Sequence, residues 1–165
     1  MADSNRWDAI VAVAQQLQRV APDNPRVIEL FGNALNFTNR SNLVLQFQGK
    51  HAPGTPAWLA ETSAIARAQF ALSDFDGALK HCDEVLSKVP ADPEANSLRI
   101  EALAASGRWE EVLRAGVAAY RAVPGGTAGS NEVLRFLRTA YKILSAKSDG
   151  QITIANGVPN PGRLQ

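Results

Sequence analysis

The fold is decided by the stretch Ser73-Asp74-Phe75-Asp76-Gly77-Ala78-Leu79, which continues to Val89-Pro90. Ser73 and Asp74 form a turn sequence, and from Phe75 onward the apolar residues recur three or four positions apart, which places them on one face of a helix. These residues are Phe75, Ala78, Leu79, Cys82, Val85, Leu86 and Val89. We expect the proline to end this helix, because it has no amide hydrogen and its ring crowds the preceding turn.

The same arrangement recurs along the chain with a step of 34 residues. The prolines are Pro22, Pro56, Pro90 and Pro124, and the residues 15 positions before them are Trp7, Ser41, Phe75 and Trp109. Each of these positions follows a turn sequence and opens an apolar helical pattern. Such a period predicts repeated pairs of helices.

A second helical segment lies between each proline and the next turn, at about 26–37, 57–72, 94–105 and 130–146. A helix pair of this size cannot bury its apolar face alone, so neighbouring pairs are expected to stack into a short superhelical solenoid. Gly49, Pro53 and Gly54 interrupt the second half of the pair at 25–58, which predicts a shortened helix and a longer loop there.

These features resemble the tetratricopeptide repeat family, a 34-residue helix-turn-helix with a bulky-x2-Leu-Gly-x2-Tyr start and a closing proline. The best matches are Ile28-x2-Phe31-Gly32-x2-Leu35, Ser73 to Pro90, and Gly107 to Pro124, whereas Thr62, Asn96 and Ser130 depart from the bulky first position. The resemblance implies an all-α, right-handed superhelical solenoid over residues 1–147. Its parts are a half repeat 5–24, repeats 25–58, 59–92 and 93–126, and a capping helix 130–146, followed by a tail 148–165 that we expect to be flexible.

Composition limits the classes of partner. The chain has 165 residues, 45% of them apolar, and 17 Lys and Arg against 16 Asp and Glu give a net charge of +1. This balance provides no overall field for nucleic acid or an acidic membrane. The single cysteine cannot form an intramolecular disulfide, and no apolar run is long enough to cross a bilayer. The sequence therefore predicts a cytoplasmic protein with no transmembrane segment.

Motifs for catalysis, cofactors or metals are weak. Residues 125–130 precede a helix but lack the Gly-Lys-Ser/Thr ending of a phosphate loop, and Asp74 to Gly77 lacks the later ligands of a calcium loop. His81 and Cys82 are adjacent, yet helical neighbours point about 100° apart. We interpret Cys82 as a core residue and His81 as part of a solvated face. The sequence predicts no enzyme activity, no cofactor and no metal.

The resemblance implies that the first helix of each pair lines a concave groove. The groove residues that we select are polar, charged or aromatic: Asn33, Asn36, Phe37, Arg67, Phe70, Glu101, Asn131, Arg135 and Arg138. Side-chain amides can bond an extended peptide, the two phenylalanines can anchor apolar side chains, and the arginines can pair with carboxylates. Glu29, Ser63 and Leu98 stand near the positions of the family's carboxylate clamp and argue against that use.

These observations favour a non-catalytic scaffold that binds a peptide or a partner helix in the groove. Self-association into a homo-oligomer is an open alternative, since the helix 7–20 has no preceding partner in the pattern. A second alternative is a regulatory or recruiting part of a larger enzyme or transport assembly. RNA binding through the basic C-terminal half ranks last, because its arginines alternate with acids and few aromatics are present to stack on bases.

Overall fold

The computed structural model describes residues 2–122 and 131–147. Within them the chain forms α-helices and one short 3-10 turn and contains no strand, which confirms the prediction of an all-helical protein. The helices are α1 (Ala2–Val20), α2 (Pro25–Phe37), α3 (Ser41–Val44), α4 (Pro56–Ala71), α5 (Phe75–Lys88), α6 (Pro93–Ala105), α7 (Trp109–Ala122) and α8 (Asn131–Lys147). The predicted tail 148–165 and the segment 123–130, with Pro124 and Ser130, lie outside the described residues.

The chain divides into two compact units, residues 1–88 and 89–165. In the first unit α2 is central, since it packs against α1, α3 and α4, and α4 in turn packs against α5. The 3-10 turn Leu45–Phe47 follows α3 and lies against α4. In the second unit α6, α7 and α8 pack against one another.

The core of the first unit is built from the apolar stripes of α1, α2 and α4. The rings of Phe31 and Phe47 are stacked with their centroids 5.4 Å apart, so the 3-10 turn closes the core beside α2. The buried apolar residues of this core are Val11, Ala14, Ile28, Phe31, Ala34, Leu35, Val44, Phe47, Ala57, Ala64, Ile65 and Ala68. Removing these side chains from water is the main term that stabilises the unit.

In the second unit, α7 and α8 come close together at Gly116. A Cβ built on Gly116 would collide with the Leu137 side chain, so glycine allows this approach without displacing Leu137. At the start of α7 the Arg108 guanidinium donates hydrogen bonds of 2.7 and 2.8 Å to the two carboxylate oxygens of Glu111. These hydrogen bonds lower the pKa of Glu111 below its usual value.

Three turns of the chain have the same backbone conformation, and they lie 34 residues apart. Asn39, Ser73 and Gly107 have φ angles of 58°, 62° and 73°, in the left-handed region. Each of them follows the first helix of a pair and lies two positions before the first residue of the second helix. A left-handed residue at this position ends a helix and redirects the chain.

The hydrogen bonds of these turns are also repeated. In the first turn the Arg40 N–H donates to the Leu35 carbonyl at 2.8 Å, and the Asn39 N–H donates to the Asn36 carbonyl at 3.2 Å. The equivalent pairs are Asp74 to Gln69 and Ser73 to Phe70 in the second turn, and Arg108 to Leu103 and Gly107 to Ala104 in the third. The paired bonds form a Schellman motif, which satisfies carbonyl groups left open at a helix end.

Of the three repeated prolines that the structure describes, two follow the ends of helices as predicted and one opens a helix. Pro22 and Pro90 lie two residues beyond the ends of α1 and α5, but Pro56 is the first residue of α4, with Thr55 as its N-cap. Because α3 is short, α4 begins before the position that the repeat pattern gives it. Proline is well suited to the first position of a helix. The predicted boundary between repeats 25–58 and 59–92 therefore falls inside α4.

The two residues of the His81-Cys82 pair are both buried. Cys82 is 1% exposed, which confirms its assignment to the core. His81 is 6% exposed, and its Nδ1 lies 3.1 Å from the Gly77 carbonyl oxygen, so its assignment to a solvated face was wrong. A hydrogen bond to the preceding turn of its own helix lets the imidazole enter an apolar environment.

No helix in the described part of the chain combines the length and the apolar character that crossing a bilayer requires.

The turn residues give a direct test of the backbone argument. Ser73 adopts a positive φ that costs an L-residue with a side chain about 1 kcal/mol, so Ser73→Gly should raise the free energy of unfolding by roughly that amount. Gly107→Ser should lower it similarly, because a Cβ there meets no neighbour and only the φ angle is unfavourable. Urea unfolding followed by circular dichroism measures both changes. Shifts of the same sign for the two variants would contradict the equivalence of the turns.

Candidate functional site

The predicted groove residues of the first unit lie on two helices that pack directly together. Gly32 makes this contact close, since a Cβ built on it would lie only 2.7 Å from the Ala64 Cβ. On α2, Asn33 and Phe37 lie opposite the buried stripe that contains Ile28 and Phe31, and Asn36 lies at the edge of that stripe. Phe37 is exposed, whereas Asn33 and Asn36 are partly buried.

Phe37 is the main apolar feature of this α2 face. Its side chain is 64% exposed, although a ring of this size is usually covered in a monomer. It is stacked on Trp7 of α1 with the ring centroids 4.8 Å apart and the ring planes inclined by 22°. The stack with Trp7 restricts the position of the ring, while most of the side chain remains exposed to solvent.

Asn36 directly precedes Phe37 in α2, and its side chain has an unusual environment. Its carboxamide oxygen and nitrogen are both inaccessible to solvent, and neither has a hydrogen-bond partner. Burial of such a group without a partner costs on the order of 1–3 kcal/mol. Asn33, one turn earlier, is only partly buried.

On α4, Arg67 and Phe70 are three residues apart on one face, and both are partly buried. The Phe70 ring lies at 58° to the Phe75 ring, with the centroids 5.7 Å apart, so it also supports the start of α5. Thus Phe70 is less available than Phe37 to a partner. Five of the nine predicted residues lie on α2 and α4 of the first unit.

The remaining predicted residues belong to the second unit. Glu101 of α6 accepts a hydrogen bond from the Ser97 hydroxyl at 3.1 Å. Arg135 and Arg138 of α8 are exposed and three residues apart, and the Arg135 guanidinium lies 5.1 Å from the centroid of the Phe136 ring. The Asn131 side chain lies outside the described residues. A single groove across all nine residues stays a prediction.

A buried polar cluster in the first unit was missed by the sequence analysis. Glu61 of α4 is 2% exposed, and its carboxylate accepts hydrogen bonds of 2.6 Å from the Gly49 N–H and from His51 Nδ1. The other ring nitrogen, Nε2, lies 3.3 Å from a carboxylate oxygen of Asp23. The cluster connects the loop after the 3-10 turn to α4 and to the turn between α1 and α2.

The chemistry of this Glu61–His51 cluster is structural. A carboxylate can only accept hydrogen bonds, so Nδ1 carries the hydrogen and Nε2 points outward. That outward nitrogen faces an acidic residue and not a hydroxyl or thiol that it could activate. The signal in the sequence was a single glutamate at a position of the apolar stripe of α4, since a buried charge needs a partner.

Metal binding finds no support in the geometry of the described residues: none of their His, Cys, Asp and Glu side chains form a group of three or more that could hold an ion.

Family models, curated proteins and solved structures were compared with the chain, and none of them matches it.

The buried Glu61–His51 pair predicts a large and specific loss of stability. Glu61→Ala leaves the N–H of Gly49 and a ring N–H of the largely buried His51 without an acceptor, so the free energy of unfolding should fall by about 3 kcal/mol. Asp23→Ala is the matched control, because the Asp23 side chain is 86% exposed and its loss should cost less than about 0.5 kcal/mol. Urea titration of the two variants distinguishes them. Equal midpoints of unfolding would contradict a stabilising role for the hydrogen bonds that Glu61 accepts.

Proposed function

We propose that this protein is a non-catalytic scaffold of the tetratricopeptide kind, which binds a peptide or a partner helix on the α2 and α4 face. The right-handed superhelical solenoid belongs to the same proposal. It is supported by the 34-residue spacing of the left-handed turns at Asn39, Ser73 and Gly107. In such an arrangement the first helices of successive pairs line a continuous concave surface.

One observation carries the binding proposal: an exposed aromatic ring, Phe37, directly follows in α2 a carboxamide, Asn36, whose polar atoms have no partner. A ligand that packs its apolar side chain on this ring would cover the same turn of α2 that carries the amide. Its backbone would supply the N–H and carbonyl groups that Asn36 lacks, after a small rotation of the side chain. The cost of an unsatisfied group in the free protein is tolerated most readily at a site of function.

The second candidate is a recruiting or regulatory subunit of a larger enzyme or transport assembly. Its partner would be a catalytic protein or a transporter that contacts the exposed face of α8 in the second unit. The exposed Arg135 and Arg138 favour a partner segment with carboxylates near one end of it. Changing both arginines to Glu should then weaken binding of an acidic segment and leave a neutral one unaffected.

Peptide selection tests the site. A library of random peptides of about 12 residues, displayed on phage, is selected against the intact chain, and the dissociation constants of enriched peptides are measured by fluorescence polarisation. Phe37→Ala should raise the dissociation constant about tenfold or more, which corresponds to about 1.4 kcal/mol. Leu72→Ala is the control, because Leu72 is a comparably exposed apolar residue, 48% exposed, at the far end of α4. Equal effects of the two variants, or no enriched peptide, would contradict the proposal.

A substitution at Asn36 distinguishes an effect on peptide binding from an effect on folding. Asn36→Leu removes two buried polar atoms that have no partner, so the free energy of unfolding should stay the same or rise by about 1 kcal/mol. The same change should weaken peptide binding about tenfold, since the amide can no longer bond the ligand backbone. Thermal unfolding and fluorescence polarisation, measured on one preparation, give the change in stability and the change in dissociation constant. A loss of stability together with unchanged binding would mean that Asn36 is an ordinary structural residue.

A further inference from the structure

The helix α8 differs from the other long helices in the sign of its charges. Between residues 133 and 147 the sequence has no acidic residue and four cations: Arg135, Arg138, Lys142 and Lys147. The one acidic residue of α8 is Glu132, at its second position. Each of the helices α1, α2, α4, α5, α6 and α7 contains residues of both signs. Like charges three or four positions apart repel one another on a helix, so α8 gains nothing from this pattern by itself.

Three of these cations lie on one line along the outer side of α8. The inner side is marked by Ala140, which is 0% exposed and lies on the side that packs on α6 and α7. A helix turns by about 100° per residue, so Arg135, Arg138 and Lys142 lie within about 40° of the direction opposite Ala140. The side chains of all three are exposed. We call them the cationic stripe of α8.

We propose that the cationic stripe of α8 binds an acidic helix of a partner protein, whose carboxylates lie at positions i, i+4 and i+7 on one face. Carboxylates form charge-assisted hydrogen bonds with arginine and lysine, so the sign of the stripe selects an acidic occupant. This inference rests on the second candidate function and deepens it in two respects. It adds Lys142 to the two arginines, and it assigns the partner segment a helical form.

The spacing of the cations favours a helix over an extended chain. Along the axis of α8, Arg138 lies about 4.5 Å beyond Arg135, and Lys142 lies about 6 Å beyond Arg138. In an antiparallel helix, residues i, i+4 and i+7 of one face have the same two separations in reverse order. In an extended chain, the residues of one face are about 6.6 Å apart, so three of them span about 13 Å and not about 10.5 Å. A helix therefore matches the stripe more closely.

The surroundings of the stripe favour carboxylates over a nucleic acid. Binding of single-stranded RNA combines phosphate contacts with the stacking of bases on exposed aromatic rings. The two aromatic residues of α8, Phe136 and Tyr141, are partly buried, and the Arg135 guanidinium lies 5.1 Å from the centroid of the Phe136 ring. The chain as a whole has a net charge of only +1, so it offers no wider positive field to a phosphate backbone.

Fluorescence polarisation with the intact chain and a labelled helical peptide tests the proposal. The probe is an alanine-rich peptide of about 20 residues with glutamates at i, i+4 and i+7, and the control peptide has the same composition with its glutamates on different faces. At about 20 mM salt the probe should bind with a dissociation constant on the order of 100 µM, and the control peptide at least about fivefold more weakly. Raising the salt to about 200 mM should weaken the binding of the probe, because the stripe is exposed.

Charge reversal at Lys142 shows whether the stripe is the binding surface. Lys142→Glu should raise the dissociation constant of the probe about tenfold, since it replaces an attraction with a repulsion. It should leave the urea midpoint of unfolding unchanged, because Lys142 is exposed and lysine and glutamate have similar helix propensities. Arg121→Glu is the matched control: it changes the net charge equally at an exposed position of α7 and should alter the dissociation constant less than about twofold.

Four results would overturn the inference. These are no binding of the probe at low salt, equal binding of the two peptides, equal effects of Lys142→Glu and Arg121→Glu, and tighter binding of a single-stranded RNA of matched charge. If changing Arg135 and Arg138 to Glu weakened an acidic segment but Lys142→Glu did not, the second candidate function would stand and this inference would fall. Phe37→Ala should leave the probe unaffected, which separates this site from the α2 and α4 face.

Discussion

Each helix pair of this chain depends on one residue that leaves the right-handed region of backbone space. Asn39, Ser73 and Gly107 take positive φ angles and end the first helix of a pair, and the amide two residues beyond the helix cap is the donor that closes the turn. Only after this reversal can the second helix return and bury its apolar stripe against the first. The packing of α4 on α5 and of α6 on α7 follows from this local constraint.

The repeated turns were accessible to sequence reasoning because they combine a local signal with a fixed spacing. The residues Asn39, Ser73 and Gly107 are types that tolerate or favour a left-handed turn, and an apolar helical pattern begins two residues after each. The proline ladder was less informative. Proline is compatible with the residues after a helix and with the first position of the next one, so Pro56 at the start of α4 and Pro22 beyond α1 fit the same spacing.

The site was only partly predictable, and the reason is that its energetics depend on contacts between distant residues. Periodicity places Asn33 and Phe37 on one face of α2, but it cannot reveal that Trp7 supports the ring or that the Asn36 amide has no partner. The hydrogen bond between Glu61 and His51 joins a loop to a helix, and the His81 ring is hydrogen-bonded to a carbonyl of its own helix. Such pairings leave a trace in the sequence only as a polar residue at an apolar position.

The same left-handed turn recurs every 34 residues, at Asn39, Ser73 and Gly107, and separates the two helices of each pair. Nuclear magnetic resonance of the labelled protein tests it most directly, because Cα chemical shifts report helices and the coupling and cross-relaxation of each N–H with its own Hα report the sign of φ. We expect helical Cα shifts over α2, α4 and α6, and a positive φ at each of the three turn residues. Continuous helix through these positions, or negative φ at all three, would contradict it.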